Sequence, residues 1–298
     1  MIVGLVPHFK GYKLKYIKRY FKNHCKFEFQ KIQDNNFTDV NFLLQNGMKS
    51  IKLSEERRSS FDKIENSNLP ILIREEPVLR MLPNKTHWHR LSWNSFFMDE
   101  GLHPYDKTQN RWGKISKSYN ISLENYKRRG DHILINLQQK KDAALNKLNF
   151  GGIGYHAYIE NLINDILKTT DRKILLRPHP IDLGTKKHLY KLYENNKQIL
   201  FSENKSLYDD LDLSWCMITY NSTSCVESII YGTHTICLDS SAVGYEVSGK
   251  SINDIENSLE CNRTTWLNKI SYMQFHMEEF NNDQYIWNLL KDCNLDLN

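Results

Sequence analysis

The sequence has no Cys-x-x-Cys pair and no histidines at metal-ligand spacing, so it offers no framework for a zinc or iron–sulfur site. Its six cysteines, Cys25, Cys216, Cys225, Cys237, Cys261 and Cys293, are scattered. Three lie in or beside apolar patterns, the usage of reduced, buried thiols in a cytosolic protein. His87 and His89 flank Trp88 and fit one side of a strand, but no further ligand stands near them, so a satisfied or exposed role suits them better than a metal pair. No stretch approaches the roughly 20 uninterrupted apolar residues of a membrane span. The opening Met1-Ile2-Val3-Gly4-Leu5-Val6 is too short and wrongly flanked for a signal peptide and reads as a first strand. Internal repeats and low-complexity linkers are also missing. What remains is a chain of 298 residues, 40% hydrophobic and 25% charged, long enough for two ordinary domains with separate cores.

Short apolar runs alternate with helical periodicity along most of the chain. Strands are expected at 1–6, 27–32, 69–74, 132–137, 173–176, 200–201, 217–219 and 235–238, with a less distinct apolar stretch at Phe42. Helices are expected at 13–23, 155–168, 186–195 and 207–211. Between 75 and 128 the sequence is polar and aromatic, and Tyr126-Lys127-Arg128-Arg129-Gly130 makes a charged break. Alternating strands and helices imply parallel sheets, so the expected fold is α/β, with two Rossmann-like, doubly wound domains facing a central cleft. The expected boundaries are 1–128, 129–262 and a C-terminal segment, 263–298, that packs back across the domains. Trp266, Ile270, Met273 and Met277 fall on one helical face, and Tyr285, Trp287, Leu289 and Leu290 on a second.

Two segments stand where expected strands give way to turns. The first is Arg177-Pro178-His179-Pro180; the second runs from Tyr220 through Asn221, Ser222, Thr223 and Ser224, with Glu227 beyond. In an open parallel sheet, ligands bind outside the carboxyl ends of the strands, so both clusters belong to one cleft. Arg177 offers a fork of donors that suits a phosphate, His179 adds a donor that can become cationic, and the prolines restrict the turn that carries both. The second segment precedes a helical pattern, where free backbone N–H groups favour an anion. Its alternative role is a plain helix cap completed by Glu227.

Net charge is only +5, but it is unevenly placed. Lys10, Lys13, Lys15, Lys18, Arg19, Lys22, Lys26 and Lys31 interleave with Tyr12, Tyr16, Tyr20, Phe21 and Phe27. A helix here would carry one aromatic stripe and one basic face. That face is either simply solvated or attracts a polyanion through counterion release.

These residues carry a resemblance to the capsule polysaccharide synthesis family of GT-B glycosyltransferases that includes the bacterial β-Kdo transferases. Five segments follow in that family's order. Glu75-Glu76 with Arg80 is similar to its acidic pair and arginine. Asp99-Glu100-Gly101 with Tyr105-Asp106 resembles its acidic turn. Strand 133–137 ending at Gln138, with Asp142 after it, the Arg-Pro-His-Pro turn, and Asn221–Ser224 with Glu227 and Gly232 complete the series. Two positions depart from the pattern: Pro77 replaces a glycine after the acidic pair, and Ser240-Ser241-Ala242-Val243-Gly244-Tyr245 replaces a Gly-Trp-Gly-type ending, so a Kdo donor is not implied.

The resemblance implies a metal-independent transferase with no cofactor and a nucleotide sugar, UDP- or CMP-linked, as co-substrate. Arg177, His179, Asn221, Ser222, Thr223 and Ser224 would hold the donor phosphate, and Gln138 and Glu227 the nucleotide. Glu76, before Glu75, would act as base at the acceptor, with His179 opposing the leaving phosphate. The tail from Trp266 is similar to phage-encoded relatives, which glycosylate hydroxymethylated pyrimidines in DNA. The expected acceptor is therefore 5-hydroxymethylpyrimidine in DNA, flipped from the stack and held by Arg74, Arg80, Arg90, Trp93, Asp99, Arg111 and Trp112, inside the cytoplasm of an infected host. The alternatives are a surface-glycan acceptor and a nucleotide-binding module without catalysis.

Overall fold

A computed structural model describes residues 1–6, 15–25, 27–32, 37–47, 59, 62–101, 103, 105, 109–145, 154–257, 259, 261–281 and 289. The chain divides into two compact units, 1–119 with 267–298, and 120–266. The first boundary precedes the charged break because residues 121–129 are bonded into the second unit: Glu124 N–H donates to Ile230 O at 2.9 Å, Lys127 N–H to Gly232 O at 2.8 Å and Arg129 N–H to Ser214 O at 3.2 Å. Gly232 takes φ +77°, and a Cβ there would stand 2.2 Å from Asn125 O, so this junction requires glycine.

The first unit holds a six-stranded sheet in the order β11-β5-β4-β3-β1-β2. Its strands are β1 (Ile2–Leu5), β2 (Glu28–Lys31), β3 (Val40–Asn46), β4 (Ile71–Glu75), β5 (Trp88–Trp93) and β11 (Gln274–His276). β1 to β4 are parallel, and β5 and β11 add on by antiparallel pairing. Alternate residues of β3 enter separate cores. Phe42 and Leu44 pack with α1 (Lys15–His24) residues Ile17, Tyr20 and Phe21, while Leu43 packs with Ile73, Ile64 and Phe96. Burial on both faces is what a mostly parallel sheet requires.

Two elements of this unit escape the apolar pattern. α2 (Arg111–Tyr119) buries Arg111 alongside Trp112 and Ile115, so a charged residue supplies part of its periodicity. The C-terminal segment is a helix only to Ser271, in α7 (Arg263–Ser271), and β11 follows. Met273 and Met277 therefore lie beyond the helix expected to carry them. Tertiary partners decide this: Gln274 Oε1 accepts Leu79 N–H at 3.1 Å, and Gln274 O accepts from Arg111 at 2.8 Å. The expected second helix, apart from Leu289, lies outside the described residues, as do Lys10, Tyr12, Lys13, Lys26 and Asp106.

The second unit holds a wholly parallel sheet ordered β10-β9-β6-β7-β8. The strands are β6 (His132–Asn136), β7 (Ile174–Arg177), β8 (Ile199–Phe201), β9 (Ser214–Thr219) and β10 (Thr235–Cys237). Helices α3 (Gly154–Thr169), α4 (Leu183–Tyr193), α5 (Leu207–Leu211) and α6 (Ser224–Ile230) form the crossovers. From β6 the chain winds outward through β7 and β8, then returns to place β9 on the other side of β6. The strand order thus reverses between the carboxyl ends of β6 and β9. Among the described residues no helix is long and apolar enough to cross a membrane, and Cys25, Cys216, Cys225, Cys237 and Cys261 are free thiols.

Candidate functional site

The residues singled out in the second half converge on this reversal. Gln138 follows β6 and Asn221 follows β9, both are buried, and they are bonded twice: Gln138 Nε2 donates to Asn221 Oδ1 at 2.8 Å, and Asn221 N–H donates to Gln138 Oε1 at 3.2 Å. Asn221 Nδ2 also donates to Ala144 O at 2.9 Å and to Ser241 Oγ at 2.8 Å. One amide therefore ties together the turns after β6, β9 and β10. Asn136 Nδ2 donates to Ser224 Oγ at 2.7 Å, and Ser224 Oγ donates to Ser222 Oγ at 2.9 Å, which fixes the serine turn.

Part of the capping alternative is met, since Ser222 Oγ accepts the N–H of Ser224, the first residue of α6, at 3.3 Å. α6 begins at Ser224 behind Thr223, whose side chain makes no cap hydrogen bond. The N–H groups of Ser222 and Thr223 donate to no other described residue. The turn is held by its own hydroxyls, which leaves two backbone donors at the sheet edge.

Beside it, Leu137 N–H donates to Arg177 O at 3.0 Å, so the Arg-Pro-His-Pro turn leaves the sheet next to Gln138. His179 is half-buried; its Nδ1 accepts Ile181 N–H at 3.4 Å, and its Nε2 bonds to no other described residue. Asp182 braces this turn by accepting Lys140 N–H at 2.7 Å and Thr185 N–H at 3.1 Å. Burial opposes its ionisation, but those backbone donors hold its carboxyl below the ordinary value.

Arg177 departs from the role expected of it. Its Nη1 pairs with Asp210, which is fully buried, and also reaches Ser202 Oγ at 3.2 Å and Asn204 O at 3.1 Å, while Nη2 donates to Lys205 O at 3.1 Å. With Nη1 and one Nη2 donor committed to the β8–α5 connection, Arg177 supports the turn from behind. Glu227 is half-buried on α6, and its charge, after burial, helps push the Tyr208 hydroxyl up to about 12.

A small recess of about 20 Å³, room for about one water, lies at the strand reversal, lined in part by Asn136, Gln138, Tyr155, Tyr158, Thr219 and Tyr220. Tyr155 donates its hydroxyl to Gln138 O at 2.6 Å. Burial, then the charge of Asp239, pushes the Tyr158 hydroxyl up to about 12, so it remains a neutral donor. Asn136, Tyr155 and Ser241 were invisible as site residues in the sequence because each acts by fixing a neighbour at distant sequence positions.

In the first unit the acidic pair stands at the carboxyl end of β4. Arg74 is 2% exposed; its Nη1 donates to Glu76 at 2.9 Å and to Asn46 Oδ1 at 3.4 Å, and its Nε donates to His89 Nδ1 at 3.0 Å. Glu76 N–H in turn donates to Glu75 Oε1 at 3.1 Å. The site here is a buried cation holding a partly exposed carboxylate. Arg74 therefore orders Glu76 and is not itself an acceptor contact.

Most other residues assigned to the acceptor are packing residues. Trp93 is fully buried against Phe42, with Nε1 donating to Leu289 O at 2.7 Å. Arg111 clamps the C-terminal segment through Ser271 O at 2.8 Å and both Glu279 carboxylate oxygens at 2.5 and 2.8 Å. Trp112 is buried in α2, and Arg90 is buried with its guanidinium against the Phe96 carbonyl and ring. Aromatic and basic residues gathered in sequence were read as a surface, but here they fill the interior. Arg80 is half-buried, and Asp99 is exposed in a turn closed by Gly101 N–H on Phe97 O at 2.9 Å.

No protein-family profile and no curated protein matches the sequence. Among solved structures, the KpsC β-Kdo 2,7 transferase of Thermosulfurimonas dismutans is similar at a TM-score of 0.58 and 13% identity, over 98% of this chain and 99% of that one. The KpsC β-Kdo 2,4 transferase of the same organism is similar at 0.55 and 12% identity, over 93% and 92%. At such identities the likeness is one of fold. It establishes the two-Rossmann, GT-B-like architecture expected from the sequence.

Proposed function

We propose that this protein is a glycosyltransferase that moves a sugar from a UDP- or CMP-linked donor to a hydroxyl acceptor. The observation that carries this reading is the interlocked edge of the second sheet, where Gln138, Asn221, Ser222 and Ser224 surround the strand reversal beside the His179 turn. Such an edge suits a nucleotide: backbone N–H groups at Ser222 and Thr223 and the imidazole of His179 supply donors for a phosphate, Glu227 supplies a polar partner for ribose or base, and Gln138, bonded twice to Asn221, holds the turn that carries those donors. An acceptor hydroxyl must lose a proton as it attacks the anomeric carbon, while the departing phosphate gains charge. Glu76 serves as the base in this reading, and His179 opposes the charge on the leaving phosphate.

The acceptor we favour is a glycan. Burial of Arg90, Trp93, Arg111 and Trp112 removes most of the side chains that a DNA strand would need. A hydroxymethylpyrimidine in DNA is the second reading, favoured by the exposed cations Lys15, Arg19 and Lys22 on α1. Incubation with radiolabelled UDP-glucose, UDP-N-acetylglucosamine and CMP-Kdo, each with a capsular oligosaccharide or with hydroxymethylated duplex DNA, separates the two. Label moving to the oligosaccharide supports the first reading, and label moving to DNA supports the second. Failure of every donor to be bound or consumed would sink both.

A further inference from the structure

A buried guanidinium is tolerated only where acceptors meet its N–H groups in a fixed arrangement. Arg74 meets three, and the least expected is His89, itself 2% exposed on β5. Arginine carries donors only, so His89 Nδ1 must be the acceptor and the ring proton must stand on Nε2. The imidazole is thereby held in one neutral tautomer. Its ring is packed by Tyr16 at 6.2 Å and by Phe280 at 5.8 Å, edge-on at 71°.

We propose that His89 is a positioning residue for the reaction: by accepting from Arg74 Nε it fixes the guanidinium so that Nη1 faces Glu76, and so sets the orientation and ionisation of that carboxylate. This rests on the reading of Glu76 as the base. The other contact on that side, Asn46 to Nη1, is long at 3.4 Å and does not fix the plane of the guanidinium. Without the Nδ1 acceptor, Arg74 would have to rotate to satisfy Nε, because an unmet buried donor is costly. Rotation takes Nη1 from Glu76, whose side chain is 27% exposed and forms the outer end of the relay. Among the described residues, charged groups at this edge include Glu75, bonded to the Glu76 N–H, and Arg90, which pairs with Glu75 in the sheet register and donates to Phe96 O.

Two substitutions separate an acceptor from a space-filler. His89→Asn puts an amide oxygen where Nδ1 stands, and His89→Phe keeps a ring but removes the acceptor. In the full chain labelled with carboxyl-¹³C glutamate, the Glu76 resonance is identified by its loss in Glu76→Gln. The Glu76 titration midpoint is expected to rise by about one pH unit in His89→Phe and to stay native in His89→Asn. With the donor that the native chain consumes, His89→Phe is expected to lower kcat about tenfold with the donor KM unchanged, and His89→Asn to recover most of it. If His89→Phe does not fold, His89→Gln, whose oxygen falls near Nε2, takes its place and is expected to behave as the acceptor-free variant. A native Glu76 midpoint in the acceptor-free variant, or no advantage of Asn over it, overturns the proposal. Full turnover by Glu76→Gln would remove Glu76 as base, while the titration still decides whether His89 orders Arg74.

Discussion

Arg177 and His179 stand two residues apart on one turn and are separated by what they bond to. Arg177→Ala leaves the fully buried Asp210 carboxylate without its ion pair. It is expected to cost about 3–5 kcal/mol of stability, read from urea unfolding, because one partner of a buried pair is removed. Where the variant stays folded, its nucleotide affinity should match the native chain's. His179→Ala should do the reverse, with native unfolding, weakened nucleotide binding and no transfer. Glu76→Gln should abolish transfer and leave nucleotide binding intact, and full turnover by that variant would refute its role. The sequence marked Arg177 and His179 equally, because a motif records residue types and not the carboxylate that awaits one of them on α5.

At the scale of elements, the strands of the second unit were legible because each is a short apolar run between turn residues. The motifs fall at their carboxyl ends, as the strand pattern implied. β5, α2 and β11 were not legible, since their identity is fixed by partners far along the chain: Arg111 with Glu279, and Leu79 with Gln274. Gly232 belongs to this scale. Its φ of +77° and the approach of Asn125 O make it a joint between α6 and the 121–129 segment. Gly232→Ala is expected to destabilise the protein by about 1–3 kcal/mol, seen as a lowered Tm. Each unit also holds a histidine kept neutral by desolvation, His103 half-buried in the first and His234 buried in the second. Burial first, and then Arg90, lowers His103 to about 4. Burial first, and then Arg128, lowers His234 to about 4. A base whose folded pKa is depressed stabilises the fold above its unfolded value and loses that contribution on acidification. Stability should therefore fall as pH drops from about 6.5 to about 4. His103→Gln and His234→Gln should each flatten the decline, and an unchanged pH–stability curve in both would refute the assignment.

For the whole molecule, fold and chemistry were legible to different depths. Alternating strands and helices over 298 residues gave two doubly wound units, and the polar edge of the second sheet followed from where the turns fall. The acceptor side did not follow, because the same tryptophans and arginines that suit a polymer surface also suit a core, and only burial distinguishes the two. The cations of α1 remain at the surface. Replacing Lys15, Arg19 and Lys22 with Gln should weaken any affinity for duplex DNA and flatten its salt dependence, since each neutralised phosphate contributes through counterion release. Unchanged affinity would exclude α1 from polyanion binding.

The claim on which the rest depends is that the edge formed by Gln138, His179 and the Asn221–Ser224 turn holds a nucleotide. Calorimetric titration of the native chain and of His179→Ala with UDP and CMP tests it most directly. Saturable binding of one of them to the native chain is expected, with at least about tenfold weaker binding to the variant, a loss of about 1.4 kcal/mol. Absence of binding by either nucleotide, or equal binding by both proteins, would contradict it.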